Sequence, residues 1–197
     1  MKSMIKNNLL LFGFLFIILI TLGIYSNHFN NPFFFDDSHT IVNNSAITSL
    51  DNWTSFFTNP ETFSSLPANR AYRPMVTFLN AIDYAISGEL NPLNYHIHIF
   101  FWYIITVLLF LVLMIHLSKK ANLAMDFKSK IFLTLTTLFF ATHTINAETI
   151  NYICARSDSF STLCVLISLL LFTNLQTRKY YLFLFPFMIG IWTKQTA

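Results

Sequence analysis

Two apolar runs constrain this chain more than anything else in it. Residues 9–24 and 100–117 carry no charge at all, and the second is broken only by Thr106 and His116. With a few flanking residues each reaches the ~20 positions needed to cross a hydrocarbon core of ~30 Å. Three shorter runs follow at 131–141, 160–172 and 180–192. In a chain that is 54% hydrophobic and 11% charged, these too read as spans lengthened by small or polar neighbours. Pro186 is expected to kink the fifth, with neighbouring helices satisfying the freed carbonyl. Residues 1–26 start with Lys2 and Lys6 like a signal peptide, but their apolar run is long for one, so an uncleaved anchor is expected.

Charge placement orients these spans. With the N-terminus in the cytoplasm, Lys2, Lys6, Lys119, Lys120, Lys128, Lys130, Arg178 and Lys179 lie inside. Only Arg70, Arg73, Arg156 and Lys194 lie outside, as the positive-inside rule requires. The acids run the other way, with Asp126 alone inside. The net charge of +3 thus reports orientation and gives no support to nucleic-acid binding. Cys154 and Cys164 make no disulfide framework, since Cys164 falls within a span.

Residues 27–95 are too long for a connector and carry helix punctuation. Thr48 and Asp51 have capping-box spacing, ahead of an aromatic stripe of Leu50, Trp53, Phe56 and Phe57. That stripe suits either the bilayer interface or a core within the loop. Pro74 opens a second helix and Gly88 closes it. Its apolar stripe is Met75, Phe78, Leu79, Ile82 and Ile86, opposite Thr77, Asn80, Asp83 and Tyr84. Asn43 and Asn52 each begin a glycosylation sequon, a pattern frequent by chance in an Asn-rich chain. The expected fold class is an all-α polytopic membrane protein of about five transmembrane helices. Its first extracytoplasmic loop, 27–95, is folded and helical, within a single unit spanning 1–197. An odd number of spans suggests the N-terminal part of something longer.

Under this topology Asp36, Asp37, His39, Arg70, Arg73, His96, His143, Glu148, Arg156, Asp158 and Lys194 all fall near the outer ends of spans. Ionised groups beside hydrocarbon tend to mark a site. Arginine can fork onto phosphate oxygens, lysine adds a point charge, and a carboxylate can act as general base toward a hydroxyl. The mixture suits a phosphate carried on a lipid. A divalent metal on Asp36, Asp37, His39 and His143 is the alternative left open, whereas His96 and His98 sit two apart on a helix and cannot chelate together.

Phe35-Asp36-Asp37 with Ile41 and Asn44, then Tyr72-Arg73-Pro74, Asn91-Pro92 and His96, resemble the first lumenal loop of one known family. It comprises the transmembrane O-mannosyltransferases with tetratricopeptide repeats and their bacterial relatives, within the GT-C class of membrane glycosyltransferases. Phe139-Phe140-Ala141-Thr142-His143, with Glu148, Arg156 and Asp158, resembles the second outer loop, and Lys194 matches a lysine after the fifth span. The chain departs from the pattern at Ile99, Tyr103, Thr144 and Gln195. The resemblance implies a multi-pass enzyme of the bacterial inner membrane or endoplasmic reticulum. Such an enzyme takes a sugar, mannose or similar, from a polyprenyl- or dolichyl-phosphate donor. It delivers that sugar to a hydroxyl on a protein or glycan acceptor. Asp36 or Asp37 would be the base, and Arg73, His96, His143, Glu148, Arg156, Asp158 and Lys194 would bind donor phosphate and substrate. The competing readings are a transporter or lipid flippase, disfavoured by nearly uncharged mid-span stretches, and a non-catalytic membrane assembly subunit.

Overall fold

A computed structural model describes the backbone of residues 2–51 and 53–195, and side chains from residue 8 onward. Lys2 and Lys6, on which the expected orientation of the first span draws, and the sequon residue Asn52 therefore lie outside the described side chains. Among the described residues there are helices and turns and no strand. Each of the five apolar runs gives one principal helix. These are α1 (Lys2–Ile24), α4 (Pro92–Lys120), α5 (Phe127–Thr142), α7 (Arg156–Thr173) and α9 (Leu184–Thr193). The first outer loop contributes α2 (Trp53–Thr58) and α3 (Pro74–Ser87). Two short helices, α6 (Asn146–Asn151) and α8 (Leu175–Lys179), lie in the later connections.

Local chemistry sets most boundaries. Asn91 caps α4 by accepting from the Leu93 amide at 3.1 Å, with Pro92 in the first turn and Lys119 and Lys120 in the last. Asp126 caps α5 through the Ser129 amide at 2.8 Å. Gly88 ends α3 at φ 70°, a left-handed position glycine adopts freely, and its amide bonds the Tyr84 carbonyl at 2.8 Å. The Thr48–Asp51 capping box does not form. Thr48 Oγ1 turns back to the Ser45 carbonyl, Ser49 pairs with Asp51, and α2 starts only at Trp53. A local hydroxyl–carbonyl turn competes with the cap and wins.

The fifth run is shortened as a helix, and Pro186 lies near its start. Tyr181 sits at φ 55°, which breaks the apolar run and delays α9 to Leu184. Pro186 then falls in the first turn, where no amide is needed. Ten residues rise only about 15 Å, half a hydrocarbon core. Among the described residues, two helices are long and apolar enough to cross a membrane: Pro92–Lys120 and Ile153–Thr173. Asn8–Ile24 and α9 are shorter apolar helices. Leu11, Phe12, Leu15, Leu19, Phe132 and Phe185 are exposed on α1, α5 and α9, an apolar exterior that supports membrane association.

The bundle is organised around α4, which packs on α7 and α5, while α1 lies on α5 and α9 on α7. The Tyr103 hydroxyl donates to the Ala141 carbonyl at 2.7 Å, joining α4 to the end of α5. Gly13 permits the close approach of α1 to α5, because a Cβ there would lie 2.7 Å from Thr134 Oγ1. A separate core of Ile41, Ile47, Phe56, Ala81, Tyr95, Ile99 and Ile153 sits beneath the first outer loop. Phe56 of α2 thus belongs to a core within the protein, while Trp53 stays exposed. The loop is a packed cap on one end of the bundle, held against the start of α7.

The α3 helix buries much of its polar stripe as well as Leu79 of its apolar one. Thr77, Asn80 and Asp83 are buried, and Ile86 is exposed. The polar stripe faces inward because it meets charged partners on α4 and α7, described next.

Candidate functional site

The two adjacent aspartates divide their work. Asp37 is fully buried, at 0% exposure. Its Oδ2 accepts from the Phe34 amide and its Oδ1 from the Cys154 amide, both at 2.9 Å. Burial pushes its carboxyl up from 3.8 to about 6, against the pull of these amides and of Arg156. With both oxygens engaged and no open side, Asp37 pins the loop to the segment before α7. Of the two roles expected for the pair, base and stabiliser of the loop, this geometry suits the second.

Asp36 points outward, with 54% of its side chain exposed. His39, one turn on, places Nε2 3.3 Å from Asp36 Oδ1. Its Nδ1 lies 2.9 Å from Ser64 Oγ, and Asn69 Nδ2 approaches Nε2 at 3.3 Å. The ring is held at Nδ1 by Ser64 Oγ with Nε2 beside the Asp36 carboxylate, and a proton on Nε2 makes that contact a hydrogen bond. The Asp36 backbone amide donates to the Tyr152 hydroxyl at 3.0 Å. Burial raises that phenol above its ordinary range, so it stays neutral. An oriented, accessible carboxylate of this kind can take a proton from an incoming hydroxyl.

Arg156 is placed otherwise than expected. It begins α7 with its side chain 5% exposed and forms an ion pair with Asp83 of α3. Its guanidinium also lies 5.5 Å from the Tyr95 ring centroid. His98, set aside in the sequence, pairs with the same Asp83. The guanidinium thereby has its carboxylate partner inside the protein. Asp83 was missed as a site residue. Its signal was the spacing of Thr77, Asn80 and Asp83, a polar helical face in a chain that otherwise avoids burying charge.

His96 is likewise withdrawn. It is fully buried beneath the loop, with its ring 4.4 Å from that of His28. His28 Nε2–H donates to the His96 carbonyl at 2.8 Å, and burial holds His28 below its ordinary pKa. Lys194 and Asp158 pair with one another across α9 and α7 and are partly exposed. His143 caps the end of α5, its Nδ1 accepting from the Ile145 amide at 3.2 Å, and is exposed, as is Glu148. Arg73 sits immediately before α3 with its guanidinium 5.6 Å from the Phe63 ring centroid. Arg70 pairs with Glu61. Arg73 has no carboxylate partner among the described residues, unlike Arg70, Arg156 and Lys194. Asp36, Asp37, His39 and His143 do not converge. Among the described residues, no group of three or more His, Cys, Asp or Glu is placed to hold a metal ion.

Whole-sequence comparison agrees with the loop motifs. Protein O-mannosyl-transferase TMTC4 of Mus musculus is 29% identical over 170 residues, covering 77% of this chain and 21% of that protein. Protein O-mannosyl-transferase TMTC2 of Homo sapiens is 31% identical over 169 residues, covering 81% of this chain and 18% of its own. Protein O-mannosyl-transferase TMTC4 of Homo sapiens is 30% identical over 165 residues, covering 74% and 21% respectively. The chain spans about a fifth of the length of the curated relatives it matches. No family model matches it, and no solved structure matches it significantly.

Proposed function

We propose that this chain carries the catalytic loop of a membrane glycosyltransferase that moves mannose from a polyprenyl-phosphate donor to a protein hydroxyl. Its five principal helices lie in the bilayer with the N-terminus cytoplasmic. The loop then faces the periplasm or the lumen of the endoplasmic reticulum. The observation that carries the reading is the division of the acidic pair. Asp36 is open and oriented by His39, and Asp37 is buried as its anchor. The similarity to proteins named O-mannosyl-transferases points the same way.

In this reading Asp36 accepts the proton of the acceptor hydroxyl as that oxygen bonds to the anomeric carbon. The bond from that carbon to the donor phosphate breaks, and polyprenyl phosphate leaves with the electron pair. Arg73, at the edge of the same loop and free of any carboxylate among the described residues, meets the departing charge. Its planar fork suits two phosphate oxygens at once. Lys194, opposite Asp158, supplies a second cation once that pair opens. The test is mannosyl transfer from polyprenyl-phosphate mannose in membranes containing the full-length protein. Asp36→Asn abolishes transfer if the reading holds, and transfer at the unmodified rate overturns it.

A further inference from the structure

The residue just before the proposed base has a conformation that its side chain disfavours. Phe35 lies at φ 43°, in the left-handed region where a Cβ crowds the following carbonyl. It occupies the second position of a turn closed by the Asp37 amide on the Phe34 carbonyl at 2.9 Å. A turn with positive φ at that place ordinarily takes glycine or asparagine. Here it holds a bulky aromatic residue that is 84% exposed. Phe33, two positions earlier, packs on Tyr95 in the loop core, so the sequence could bury a phenyl ring nearby. Phe35 is held outward instead. Its one fixed contact beyond its own turn is perpendicular to the Tyr152 ring, with centroids 6.0 Å apart. The same Tyr152 accepts the Asp36 amide, so ring and carboxylate share a support. Strain kept at an exposed position points to use.

We propose that Phe35 is a stacking platform for the hexose that reacts at Asp36. This rests on the reading of Asp36 above and adds a substrate contact to it. A hexose presents one face rich in C–H bonds, which carry slight positive charge. The face of a phenyl ring is negative at its centre and attracts them. The attraction grows as the anomeric carbon gains positive character on the way to transfer, since such transition states resemble oxocarbenium ions. An aromatic platform also fixes the plane of the sugar without requiring any particular hydroxyl. Asp36, next in the chain, then lies at the edge of that plane, where an acceptor oxygen approaches.

The full-length protein in lipid nanodiscs tests this with methyl α-mannoside as probe, read by saturation-transfer NMR, alongside mannosyl transfer. Phe35→Gly keeps the left-handed turn and loses the ring. Phe35→Leu keeps apolar bulk for a membrane surface and loses the π face. Phe35→Tyr keeps the face. The expected result is saturation transfer retained in Phe35→Tyr and cut about fivefold in both Phe35→Gly and Phe35→Leu, the scale of one aromatic contact. Asp36→Asn retains the mannoside signal. Undiminished signal in Phe35→Leu or Phe35→Gly overturns the proposal, as does absence of signal with the unmodified protein. If the Phe35 pattern appears while Asp36→Asn leaves transfer intact, the stacking site stands and the catalytic reading of Asp36 falls.

Discussion

Asp83 and Arg156 form an ion pair that joins α3 of the outer loop to the first residue of α7, with side chains only 3% and 5% exposed. The pair lies two positions beyond Cys154, whose amide holds Asp37. The buried charges and the acidic turn are thus links of one chain of contacts. Losing Asp83 strands Arg156 away from water, and losing Arg156 leaves buried Asp83 with His98 alone.

Asp83→Leu or Arg156→Met alone should therefore destabilise the protein by about 3–5 kcal/mol, the usual cost of breaking a buried pair. The double variant, with no charge left to strand, should recover most of that loss. Thermal unfolding in detergent of the two single variants and the double completes the cycle. Additive losses would mean that the two residues do not act as a pair.

The acidic pair should separate cleanly by substitution. Asp36→Asn is expected to unfold like the unmodified protein and to lose transfer by about 10²-fold or more, as general-base removal does. Asp37→Asn should instead lower the unfolding temperature. An amide can accept from only one of the Phe34 and Cys154 N–H groups, and the other costs about 1–3 kcal/mol unpaired. Measuring unfolding and turnover for both variants checks the assignment, and an exchange of the two phenotypes would reverse it.

Asp37 also predicts a pH dependence. Its carboxyl titrates near 6 in the fold against an ordinary 3.8, so the folded state prefers the protonated form. The stabilisation is complete below about pH 4 and is lost as pH rises through about 6, on the order of 3 kcal/mol. Unfolding followed from pH 4 to 7 should show the unmodified protein losing its advantage over Asp37→Asn, whose amide does not titrate. A gap that stays constant or widens with pH contradicts the assigned direction.

The topology can be read by single cysteines in a background where Cys154 and Cys164 are replaced. Pro60→Cys should react with a membrane-impermeant maleimide from the outer side, and Ala124→Cys should react only after permeabilisation. Equal reactivity at both positions rules out the arrangement with the N-terminus inside.

Much of this fold is legible in the residues, and the limits have identifiable causes. Proline at the start and glycine at the end give α3 its bounds, because each acts through its own backbone. Uncharged runs locate the principal helices for a similar reason, as burial of long apolar stretches leaves few alternatives. Periodicity fails on the faces of α3. Hydrophobicity puts Ile86 with the packed stripe, yet it is exposed, whereas Asp83 is drawn in by Arg156 and His98, which lie 73 and 15 positions away in sequence. The acidic pair is visible as a pair, but its division depends on an amide at Cys154. The length of α9 is hidden for another reason, since nothing in the composition of Tyr180 and Tyr181 announces a left-handed residue.

The bond from Asp37 to Cys154 spans 117 positions, and that separation sets an order of events during synthesis. The segment around Asp37 emerges while α4, α5 and the start of α7 have yet to be made. At cellular translation speeds the interval is on the order of ten seconds. Throughout it Asp37 lacks one of its two partners, and Asp36 lacks the Tyr152 hydroxyl that steadies its backbone. The nascent loop therefore waits unfastened, and its acidic turn is fixed only when a later part of the same polypeptide arrives.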